Sequence, residues 1–185
     1  LPLTRDEFRE AVCETCRRNQ LRNGYVRLVV TRGPGHLGLT PDGCGPANVI
    51  IIADAIQLYP EEFYENGLKI ITVPTRRINS SALPPAVKSL NYLNNILAKI
   101  DANVAGVDDA VMLDDRGFLA ETNATNLFVV RKGVLLTPFA HACLPGLTRR
   151  FVLDVAERVG LDAREADLSL TELYTAEEAF TTGTM

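Results

Sequence analysis

The sequence predicts a mixed α+β fold, and three observations predict it. Short apolar runs, several of them alternating, recur along the chain as strands. One long stretch carries a helical apolar period. Turn residues join neighbouring strands directly, as antiparallel hairpins, where regular βαβ units would place a crossover helix. The 185 residues, 46% of them hydrophobic, suffice for one good core or for two lobes.

The elements follow in order. Thr4 and Glu7 in "TRDE" have capping-box spacing, so a helix is expected from there to about Asn19, with Phe8, Ala11, Val12 and Thr15 inward. "YVRLVVT" alternates: Val26, Leu28 and Val30 form an expected core side. Tyr25, Arg27, Val29 and Thr31 form the other side, either a polar site or a solvated face. "NVIIIAD" and "LKIITVPT" read as further strands, with a linker and a short helical turn in "LYPEEFYENG" between them. "RRINSSALPPAV" is a connection without period. "LNYLNNILAKIDANVAG" is the strongest helix, with Leu90, Leu93, Leu97, Ile100 and Val104 as its apolar stripe and Gly106 as its stop. Two hairpins follow, "AVML" with "FLAE" and "NLFVV" with "VLLT". "LPGLTR" opens a helix with Phe151, Val155 and Val159 along one side. "DAREADL" is a short strand, Ser169 and Glu172 cap a short helix, and "AFTTGT" is the last strand and turn.

Charge and composition exclude several function classes. The net charge is −4, with no basic stripe for nucleic acid and no apolar run of membrane-spanning length. No signal-peptide pattern opens the chain, so a cytoplasmic protein is the expectation. The pair Cys13 and Cys16 has no second close pair to complete a zinc site and lies inside a helical pattern. No metal site is expected.

"TRGPGHLGL" contains G-x-G-x-x-G after a strand. A dinucleotide fingerprint needs a helix immediately after it to hold the pyrophosphate. Here "LTPDGCGPANV" follows, and Pro41, Gly43, Gly45 and Pro46 oppose a helix there. Three matching glycines are also a weak signal in a chain that has 13. The dinucleotide reading is rejected.

Four stretches from position 88 onward stand out together. Lys88 precedes the strongest helix; Glu121 ends a strand before "TNATN"; Gly146 and Thr148 stand at a helix N-terminus, where free N–H groups suit an anion; Thr182, Gly183 and Thr184 end another strand. Taken singly, each has an ordinary explanation: a solvated lysine, a turn glutamate, a capped helix, a terminal turn.

In this order, "KSLNYLNNILAK", "AETNATNLFVVRKGVLLTP", "LPGLTR" and "TTGT" resemble the pyridoxal-phosphate aminotransferases of fold type IV. That group includes branched-chain amino acid aminotransferases, D-amino acid aminotransferases and aminodeoxychorismate lyases. The resemblance runs from about Tyr25 to the last residue. It implies a partial small α/β domain at 1–56 and a large, β-rich pseudo-barrel domain with helices at 57–185.

The resemblance also implies roles. Lys88 matches the Schiff-base lysine, which also moves a proton and needs a neutral amine, favoured by burial and nearby positive charge. Glu121 matches the carboxylate on the pyridine nitrogen, which keeps the ring an electron sink. Tyr92 matches a residue near the phenolic oxygen, and Leu144 one that packs on the ring. Gly146 and the N–H groups of Leu147 and Thr148, with the Thr148 hydroxyl, match the phosphate cup, and Thr184 a second phosphate contact. Gly183 and Met185 match the turn that meets the substrate carboxylate. "YVRLVV…HLGL" is similar to branched-chain enzymes, which gives Tyr25 and Arg27 a part in the substrate pocket and makes the loop with Leu39 resemble the segment that closes over the partner subunit's pocket.

The implied reaction moves an amino group between a branched-chain L-amino acid and 2-oxoglutarate, in a homodimer. A D-amino acid aminotransferase, an aminodeoxychorismate lyase and a truncated chain without turnover are the alternatives. The absence of an initiator methionine and the stop at "FTTGTM" lead us to expect a fragment, lacking strands and a phosphate-binding arginine that the family carries.

Overall fold

A computed structural model of the chain describes residues 1–56 and 60–184. Its residues fall into two units, Leu1–Tyr59 and Pro60–Thr184.

The first unit opens with helix α1 (Arg5–Arg18), capped by Thr4 as its sequence predicts. The Glu7 N–H donates to Thr4 Oγ1 at 3.3 Å, and the Thr4 N–H donates to the Glu7 carboxylate at 2.7 Å. Phe8, Ala11, Val12 and Thr15 are half-buried, as expected. Strands β1 (Tyr25–Val30) and β2 (Val49–Asp54) pair antiparallel, with Tyr25 opposite Asp54 and Val30 opposite Val49. The expected core side of β1 is not closed. Val26, Leu28 and Val30 are exposed, whereas Tyr25 and Val29 on the opposite side are half-buried. A two-stranded ribbon with one helix has too few layers to enclose a face.

No helix occurs between β1 and β2 among the described residues, so the glycine-rich loop has no phosphate-binding terminus behind it. Its glycines serve chain geometry instead. Gly33 has φ +92°, and a Cβ there would lie 2.4 Å from the Pro46 carbonyl oxygen.

The second unit contains α2 (Glu61–Asn66), β3 (Ile70–Thr72), α3 (Leu93–Val104), β4 (Asp109–Leu113), β5 (Leu119–Thr122), β6 (Asn126–Arg131), β7 (Val134–Pro138), α4 (Leu147–Arg158), β8 (Ala163–Ala166), α5 (Leu170–Tyr174) and β9 (Glu178–Thr182). One sheet has the order β3-β4-β5, the other β8-β7-β6-β9. The β4–β5 and β6–β7 hairpins form as their turn residues predict. The pairs β3–β4 and β7–β8 are parallel instead. A helix lies between the strands of each parallel pair in sequence, α3 in one and α4 in the other, so the all-hairpin expectation is corrected by two crossover units.

β4 organises this unit, because all five of its residues are buried. Val111 and Leu113 join Leu119, Leu127, Val129 and Leu168 on one face. Ala110 and Met112 join Val73, Ala98 and Ala102 on the other. Ala98 and Ala102 are four apart on α3 and fully buried, and their small side chains let the helix lie close to the sheet.

Two helix faces differ from expectation. α3 begins at Leu93, with Tyr92 as N-cap, so Leu90 lies outside it. Its alanines face the sheet, which leaves the predicted stripe outside: Leu93 is 68% and Val104 83% exposed, and Leu97 and Ile100 are also exposed. On α4, Arg149 and Ala156 are buried while Phe151 and Val159 are exposed. In both helices the spacing gives the correct period and the wrong phase. Among the described residues no helix is long and apolar enough to cross a membrane.

Candidate active site

Glu121 is the second-last residue of β5, opposite Met112 of β4, and therefore lies on the face that α3 covers. It is 6% exposed. Its Oε2 accepts the Leu144 N–H at 3.3 Å, and its Oε1 lies 3.0 Å from Arg77 Nε. Burial pushes its carboxyl up to about 7, although Arg77, the Leu144 N–H and Lys88 all favour the anion.

A cavity of about 90 Å³ opens beside this carboxylate. Lys88, Tyr92, Glu121 and Leu144, expected together from sequence, all line it, with Arg77, Asn95 and Asn123. Lys88 is exposed, so the burial expected for its amine is absent. It reaches the cavity through an irregular segment between Pro84–Pro85 and the α3 cap, and not from a helical turn. A larger open groove, lined by Leu153–Asp154 and Gly160–Glu165, holds none of the predicted site residues.

The wall after β5 is a tight turn. Thr122 Oγ1 accepts the Ala124 and Thr125 N–H groups at 3.3 and 3.0 Å. This presents Asn123 to the cavity, where its Oδ1 is buried without a hydrogen-bond partner among the described residues. The Asn123 carbonyl accepts from Asn95 Nδ2 at 2.8 Å, which fixes the turn to the first turn of α3.

Leu144 connects the cavity to the start of α4. Its carbonyl accepts from Asn126 Nδ2 at 2.9 Å. Gly146, the N-cap of α4, passes so close to Asn126 that a Cβ would lie 2.1 Å from Oδ1. No side chain among the described residues caps this helix, so its first-turn N–H groups, Leu147 and Thr148 among them, are available to an anion. The Thr148 hydroxyl donates to the Gly183 carbonyl at 2.9 Å, which joins "LPGLTR" to "TTGT". That proton is engaged in the structure, so the expected hydroxyl contact requires it to rotate. Thr184 is exposed beside this junction in sequence, and Met185 lies outside the described residues. Tyr25 and Arg27 on β1, and Leu39 in the loop after it, belong to the first unit. Leu39 is fully exposed.

Arg77, Asn95 and Asn123 were not anticipated. Arg77 had a legible signal. The period of two that runs through Ile71 and Val73 continues to it, placing it on the α3 face, whereas Arg76 points outward and is exposed. The Arg77 N–H donates to the Leu113 carbonyl at 2.9 Å, which prolongs the strand-like path beyond β3.

A buried carboxylate, a lysine, an orphaned amide oxygen and, through Leu144, an uncapped helix start suit a ring with a basic nitrogen and an anionic group. A protein of Methanocaldococcus jannaschii provisionally named branched-chain-amino-acid aminotransferase is 49% identical over 185 residues, which are all of this chain and 63% of that one. The T.th. branched-chain amino acid aminotransferase, solved with pyridoxamine 5'-phosphate, superposes with TM-score 0.93 at 35% identity, over all of this chain and 60% of its own. The same enzyme complexed with N-(5'-phosphopyridoxyl)-L-glutamate gives TM-score 0.90 at 34% identity, with the same coverage. The chain thus spans about three fifths of the length of these relatives. Residues 1–185 match the family described as Amino-transferase class IV. On this match over its full length, the chain belongs to the class IV aminotransferase family.

Proposed function

We propose that the protein exchanges the amino group of a branched-chain L-amino acid with 2-oxoglutarate, using pyridoxal 5'-phosphate. The observation that carries this reading is one cavity lined by Lys88, Tyr92, Glu121 and Leu144. The branched-chain names of the relatives support the first substrate, and the glutamate adduct in the T.th. enzyme supports the second. The D-amino acid and aminodeoxychorismate alternatives have less support, because these relatives carry the branched-chain name.

When bound, the cofactor supplies an electron sink for the charge left on the substrate carbon. The chain's own residues do the rest. Lys88 Nζ holds the cofactor and moves the proton of the substrate Cα. Glu121 would accept from the ring N–H. Tyr92 would stand near the phenolic oxygen, and Leu144 would pack on the ring. Gly146 and the N–H groups of Leu147 and Thr148 would receive the phosphate, with Thr184 as a second contact. Gly183 would meet the substrate carboxylate. The acting form is a homodimer in the cytoplasm.

The test is the visible absorption of the bound cofactor. Pyridoxal phosphate added to the protein gives a band, Lys88→Ala abolishes it, and L-leucine bleaches it. A band that persists in Lys88→Ala removes the lysine from its role, and bleaching by D-alanine alone removes the branched-chain assignment.

A further inference from the structure

One charged side chain on the cavity wall has no part in the chemistry above. Arg77 is 11% exposed at its side chain. Its Nε lies 3.0 Å from Glu121 Oε1 and donates to the Ala142 carbonyl at 3.0 Å. Its Nη1 donates to Asn94 Oδ1 at 2.9 Å and to Asn95 Oδ1 at 2.8 Å. One guanidinium therefore joins three parts of the site: the end of β5, the connection from β7 to α4, and the first turn of α3. The chain of contacts continues through Asn95 Nδ2 to the Asn123 carbonyl at 2.8 Å.

We propose that Arg77 is a positioning residue that holds Glu121 in place and favours its anionic form against burial, so that the carboxylate is offered to the cavity as an acceptor. The inference rests on the cofactor reading for the identity of the donor it would meet. The coupling itself concerns only this chain.

The physical case is one of opposed terms. A carboxyl this buried is desolvated and favours its proton. A protonated Glu121 would keep only an uncharged carbonyl acceptor and would lose the charge that favours a cationic ring N–H. The permanent charge of Arg77 opposes protonation, and its three other oxygen acceptors prevent the guanidinium from turning away. A lysine is a point charge without that planar fork, so it could not keep all of these contacts.

The other groups near the carboxylate do not replace Arg77. Lys88 is exposed and lies on the same segment before α3. Tyr92, at the α3 cap, lines the cavity. Cys143, from the connection between β7 and α4, is pushed up to about 12 and stays neutral. Arg149 is committed to the Pro138 carbonyl at 2.7 Å and to Glu165.

The test reads Glu121 directly in the cofactor-free chain. Glutamate side chains are labelled at the carboxyl carbon and titrated by NMR, with Glu121→Gln assigning the signal. We expect Arg77→Gln to move the Glu121 midpoint upward by at least about half a unit, a roughly threefold fall in the ratio of ionised to protonated carboxyl at a given pH. If circular dichroism shows that Arg77→Gln does not fold, Arg77→Lys reads the same quantity, with a smaller upward shift. An unmoved midpoint in the folded variant overturns the proposal. Because the readout involves no cofactor, failure of Lys88-dependent binding with an intact Arg77 shift would remove the functional reading and leave this coupling standing.

Discussion

Glu121 makes folding and pH inseparable at the site. Its carboxyl ionises near 4.5 in an open chain and near 7 when folded, because burial outweighs the adjacent cations. The folded state therefore binds the proton more tightly than the unfolded one. The resulting stabilisation is complete below pH 4.5 and is lost as pH rises through about 7. Its size is on the order of 3 kcal/mol. Asp109, also raised by burial, adds to the fall in the same sense. We expect urea unfolding of the cofactor-free chain to show stability falling across this range, and Glu121→Gln to flatten most of the fall. An unchanged slope in the variant would place its source elsewhere.

At the scale of elements, the start of α4 is set by one close approach. Gly146 is not selected for unusual backbone angles, since its φ is −64°. It is required by space: a methyl group there meets Asn126, whose amide holds the Leu144 carbonyl. Gly146→Ala should break that bond and cost about 1–3 kcal/mol, measured by thermal or urea unfolding. If the α4 N-terminus receives the cofactor phosphate as proposed, the variant should also show a higher Kd for pyridoxal phosphate. The other helix, α3, obeys the same logic from inside. Alanines, not leucines, face β4, because a strand buried on both faces leaves room for a close backbone and little else.

Over the whole molecule, burial is unevenly shared. No described residue before position 57 is buried, whereas β4, β5 and most of β6 are. Few buried contacts mean easy local opening. Hydrogen exchange should therefore be fast in α1, β1 and β2 and slowest in β4 and β6, with protection in the second group approaching that of global unfolding. Equal protection of β1 and β4 would contradict this.

The sequence by itself determined the capping boxes, the two hairpins, the absence of a helix behind the glycine loop, and the set Lys88, Tyr92, Glu121 and Leu144. These rest on short-range chemistry or on motifs, and both are written in consecutive residues. Only the tertiary structure decided which face of α3 and α4 turns inward, that β3–β4 and β7–β8 run parallel, and that Arg77 rather than Arg76 meets Glu121. Periodicity gives a helix its stripe but not the surface it meets. A leucine stripe and an alanine pair can share one helix, and the strand opposite chooses between them. Arg77 acquired its partner in the same way. Its alternation with Val73 was legible, but the carboxylate it meets lies 44 positions away in sequence, and folding alone brings the two within 3.0 Å.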